Sequence, residues 1–114
     1  MSAESSQIPA VACVPSAIEP AARTAHFALA RELFEKRCVE RVTLPDGYAF
    51  RFLPDSLEEI ASFVANERKC FPFMSFELNL APGSGPLWLR MTGPEGTRDV
   101  LDAELNLAGS CGCK

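Results

Sequence analysis

The chain is poor in the residues that usually betray catalysis. It holds one histidine, one tryptophan and one tyrosine in 114 residues. A single histidine excludes an HExxH zinc helix, and no Ser/His/Asp set or phosphate-binding glycine loop occurs. Gly83-Ser84-Gly85 is too short for such a loop and reads as a hairpin turn. No apolar run is long enough to span a bilayer. The first eighteen residues lack the basic start and continuous apolar stretch of a signal peptide, which points to the cytoplasm. Positive charge is also scarce: 11 Lys and Arg face 15 Asp and Glu, and the basic residues form no block. Nucleic acid and an anionic membrane both demand a clustered positive field, so neither is expected as a partner.

What the chain does have is cysteine, five in all. An odd number fits a disulfide framework poorly, and a reducing compartment would keep them as thiols. The length is that of one domain, with room for a modest core that needs no disulfide. Residues 1–17, rich in Ser, Ala and Pro, read as a flexible leader. A single α+β domain follows over 18–107, and 108–114 form a flexible cysteine-containing tail.

The periodicities give the order α-β-β-α-β-β-α. Pro20 suits the first turn of a helix that carries Ala22, Ala25, Phe27, Ala28, Leu29, Leu33 and Phe34 as an apolar stripe and ends near Cys38. Val39–Leu44 and Tyr48–Leu53 flank the turn signal Pro45-Asp46-Gly47 and read as a hairpin. Ser56 and Glu59 have the spacing of a capping box, opening a helix that Pro72 stops at Phe71. Phe73–Leu80 and Leu87–Thr92 alternate as strands around a Gly/Pro turn, and Glu95–Leu107 reads as the last helix. These elements predict a two-layer sandwich: a four-stranded antiparallel sheet with helices on one face, packed on Tyr48, Phe50, Phe52, Phe76, Leu78, Leu80, Leu87, Leu89 and Met91.

Chemistry, on this reading, lies with sulfur. Cys111 and Cys113 flank Gly112, whose freedom lets both sulfurs turn to one ion. Thiolates select soft ions such as Zn(II) and Cu(I) and, by the same logic, Hg(II) or As(III). Cys70, ahead of Pro72, offers a third ligand, and Cys13 a further one if the leader folds back. The alternative is a tail that takes part in no site. Arg68 and Lys69 would lower the Cys70 pKa while the helix C-terminus raises it, so strong activation is not predicted. Glu67, one turn earlier, is a candidate proton partner for Cys70 or a solvated residue. The alternative reading of Cys70 is a small buried hydrophobe. Cys38 reads as core or boundary, and His26 as a surface or packing residue. On the open sheet face, Arg51, Trp88 and Arg90 make a surface for a second copy, or pair across strands as Glu77 with Arg90.

GYAFRF, ERKCFPFMSFEL and GPLWLRMTGPEG, within Tyr48 to Leu105, resemble a group of small, largely uncharacterised bacterial proteins. The resemblance covers about half the chain and implies an association with heavy-metal resistance, mercury above all. Relatives often carry two adjacent cysteines before the Pro-Phe; here the second position is Phe71. Three readings follow: a soft-metal or metalloid binding protein on Cys70, Cys111 and Cys113; a cysteine-dependent enzyme acting on a metal-carbon or thiol substrate; or a non-catalytic dimeric module.

Overall fold

The computed structural model describes residues 19–105. In it, α1 spans Pro20–Arg31, β1 Cys38–Leu44, β2 Gly47–Phe52, α2 Leu57–Cys70, β3 Ser75–Leu80, β4 Leu87–Thr92 and α3 Thr97–Leu105. The predicted α+β order is present. The sheet is antiparallel throughout, with strand order β1-β2-β4-β3. The two hairpins therefore join through their second strands, and β2 and β4 form the sheet's centre. The leader, the tail and their cysteines Cys13, Cys111 and Cys113 lie outside the described residues.

One sheet face is apolar and covered by helices. Phe50, Phe52, Leu87, Leu89 and Met91 alternate inward and are buried. Phe34 of the helical layer fixes their partner: its ring meets Phe50 at 4.9 Å and both Phe52 and Phe63 at 5.3 Å, each edge-on. Edge-on contact sets the positive ring edge against the negative face, which favours this cluster beyond its buried area. The opposite face carries ion pairs in cross-strand register, Arg51 with Glu40 at 2.9 Å and Arg90 with Glu77 at 3.2 Å. Trp88 lies half-buried there between Arg51 and Asn79.

Several local expectations are corrected. The first helix does not run on regularly to Cys38; beyond Arg31 the chain winds as a π-helix over Glu32–Arg37. The wider turn brings residues five apart together, and Arg37 Nε lies 3.3 Å from Glu32 Oε2. Leu33 and Phe34 point inward as expected, but Phe27 is 45% exposed and Ala22, Ala25 and Ala28 are exposed. No capping box forms. A 3-10 turn over Pro54–Ser56 precedes α2, and Ser56 makes no capping bond. Its hydroxyl is instead buried near Arg37 Nη1, at 3.4 Å. Leu78 and Leu80 are exposed, because β3 is an edge strand and the helical layer does not extend over its far end.

Candidate metal centre

Helical periodicity turns one ionisable residue of each helix into the core. In α1, His26 precedes Ala30, Leu33 and Phe34 by four, seven and eight residues, all of them buried. In α2, Glu67 follows Ile60 and Phe63 by seven and four. In α3, Glu104 follows Leu101 by three and adjoins buried Leu105. Three inward stripes thus each carry a polar interruption, and the three interruptions meet.

His26 Nε2 lies 2.7 Å from Glu67 Oε1, and both side chains are essentially inaccessible to water. The His26 ring stacks on Phe63 at 5.3 Å between centroids, tilted by 13°. That stacking fixes the ring plane. One ligand atom each from His26, Glu67 and Glu104 all lie within 4.8 Å of one another.

The electrostatics follow from burial. Burial pushes the Glu67 carboxyl up to about 7, opposed by the hydrogen bond it receives from Glu104. Burial raises Glu104 to about 9, helped by the Glu67 charge and by the bond Glu104 donates. His26 is pushed below its ordinary value by burial, against the pull of Glu104. Near neutrality the cluster holds Glu104 protonated and His26 uncharged. Among the described residues, four buried side-chain atoms lack a hydrogen-bond partner: Arg23 Nε, His26 Nδ1, Glu67 Oε2 and Glu104 Oε1. Three of the four belong to this cluster, so the unsatisfied polarity of the core is concentrated in it.

Two chemistries satisfy such a group. A proton held between the two carboxyls does so by keeping Glu104 neutral. A divalent cation does so by taking the place of protons, with one imidazole and two carboxylates as ligands. Bonds of about 2.0–2.2 Å in a tetrahedral site would open the 2.7 Å contact between His26 Nε2 and Glu67 Oε1 and draw in the wider separations, which reach up to 4.8 Å.

The cysteines are differently placed. Cys70 is 4% exposed and Cys38 is 2% exposed. Both are disulfide-bonded, which corrects the expectation of free thiols. They are not bonded to one another. Arg37, next to Cys38, bonds Leu53 N just before α2, whereas Cys70 closes that 14-residue helix. The two are therefore separated by roughly 20 Å of helix, where a disulfide requires Cα atoms within about 7 Å. Cys38 is core, as its position suggested. Glu67 is neither solvated nor set toward Cys70; it faces His26 and Glu104. His26 and Glu104 were not singled out as a site from the sequence. The readable signal was an ionisable residue in phase with each apolar stripe.

Compared with family models, curated proteins and solved structures, the chain matches none.

Proposed function

We propose that the protein binds a divalent metal ion through His26, Glu67 and Glu104. The observation that carries this reading is the convergence of three donors, one from each helix, two of them fully buried and the third half-buried, in a group that leaves oxygen and nitrogen atoms without partners. The donor set is one nitrogen and two oxygens, which suits Zn(II), Mn(II) or Fe(II) and offers little to a soft ion such as Hg(II). Because the three ligands come from α1, α2 and α3, the ion would fasten the whole helical layer. Its binding free energy would then add to folding stability.

The mercury association rests on sequence resemblance, and capture by cysteine would depend on Cys111 and Cys113 together with Cys70. A disulfide sulfur has no thiolate to offer, so Cys70 would join only after reduction. Disulfide-bonded cysteines also suit an oxidising compartment better than the cytoplasm. Among the described residues no helix is long and apolar enough to cross a membrane.

Calorimetric titration of the metal-free protein with Zn(II), Mn(II) and Fe(II) tests the proposal, repeated on Glu67→Gln. One-to-one binding that Glu67→Gln removes supports it. Absence of binding by all three ions, in protein shown to be folded, would leave the cluster as a proton-sharing carboxyl pair and overturn it.

A further inference from the structure

Glu104 does not only face the buried pair. It also lines a cleft of about 270 Å³ between α1 and the end of α3. Phe27, Ala30, Phe34 and Leu105 line it together with Arg31 and Glu35. The cleft is therefore mixed, with apolar and charged side chains together and a candidate metal ligand in its lining. Three protein ligands leave a tetrahedral ion one position short, and in proteins that arrangement is typical of centres that exchange a ligand.

We propose that the ion held by His26, Glu67 and Glu104 presents its open position to this cleft, and that the cleft admits a small monocarboxylate with an apolar body. The inference rests on the metal-binding reading above. Charge and size choose the occupant. The carboxylate would meet the cation and the lining residue Arg31, whose charge Glu35 partly offsets. The apolar body would replace water against Phe27 and Phe34. A volume of about 270 Å³ accommodates one small ring.

Cobalt(II) makes the test visible, because its absorption reports the number and kind of its ligands. The full chain is loaded with Co(II) and titrated with benzoate, then with the same probe on Phe27→Ala. Phe27 is 45% exposed, so its loss leaves the core intact. The expected result is a Co(II) spectrum that changes with benzoate, and an affinity weakened about tenfold in Phe27→Ala. A Co(II) spectrum indifferent to benzoate overturns the open position while leaving metal binding standing. A response to benzoate unchanged in Phe27→Ala and in Arg31→Gln overturns the cleft as its seat. Failure of Co(II) itself to bind overturns the reading beneath.

Discussion

Glu67 Oε1 stands 2.7 Å from His26 Nε2, across 41 residues of sequence and out of reach of water. An ionised carboxylate is costly in such a place unless it is paired, protonated or metal-bound. Glu67→Gln separates these cases. The amide keeps the shape and can still meet His26, but it cannot supply a charged ligand. The expected outcome is a folded protein whose metal affinity falls by at least about a hundredfold, beyond what the loss of a supporting contact would cause. Calorimetric titration gives the affinity, and circular dichroism checks the fold.

Stability should follow pH with a sign set by the two carboxyls. Their pKa values are raised on folding, to about 7 for Glu67 and about 9 for Glu104, from an ordinary 4.5. The folded chain therefore holds protons that the unfolded chain has released, and stability falls as pH rises from 4.5 through those values. His26 acts oppositely: its lowered pKa removes stability as pH falls below 6.5. The metal-free protein should lose stability between pH 6.5 and 9, by roughly 1.4 kcal/mol per pH unit for each such proton. Saturating Zn(II) should flatten that slope, because the bound ion keeps both carboxylates ionised in the folded chain, as they already are in the unfolded one. Melting temperatures across the range, with and without the ion, are the measurement.

The layout of the sheet was legible because its signals are local. Alternation in GYAFRF and in LWLRMT marks each strand and its inward face, and Pro45-Asp46-Gly47 marks the turn. The expected Glu77–Arg90 pair is present because cross-strand register follows from the hairpin. The first helix was harder. Three alanines and Phe27 made a plausible stripe with Leu29, Leu33 and Phe34; Leu33 and Phe34 are buried, but the buried side reaches them through His26 and Ala30. A polar residue in phase with that stripe looks like an interruption until its partners are known. Those partners, Glu67 and Glu104, sit on other helices, and no spacing along the chain announces their meeting. Cysteine drew attention as a residue type, yet the carboxyl groups and the lone histidine are the ones brought together.

Tyr48 should hold α3 in place for Glu104. Its hydroxyl donates to Asp102 Oδ1 at 2.6 Å, joining the sheet to the helix two residues before Glu104. Burial, and then this bond, raise the Tyr48 pKa, so the donor stays protonated over the physiological range. Tyr48→Phe removes the bond and keeps the ring. The expected cost is about 1.5 kcal/mol, at the lower end for a bond to a charged group, together with weaker metal binding. Chemical denaturation and calorimetric titration would read the two effects, and an unchanged metal affinity would place Glu104 under other control.

Two glycines should respond to alanine for different reasons. At Gly47, in the centre of the sheet's turn end, an added Cβ would fall 1.9 Å from the Met91 carbonyl oxygen and 2.8 Å from Thr92 Cα. Both atoms are backbone, held by the β2–β4 ladder in which Gly47 faces Thr92. No rotamer relieves the clash, so the strands must part at that end. Gly47→Ala should cost about 3 kcal/mol or more, the upper range for overpacking. Gly83, with φ of +64°, has open space around its missing Cβ. There alanine meets only the left-handed penalty, about 1–2 kcal/mol, in an exposed turn that can relax. Denaturant unfolding of the two variants should therefore rank Gly47→Ala well below Gly83→Ala. Equal losses would mean that the β2–β4 contact at Gly47 is looser than its 1.9 Å clearance implies.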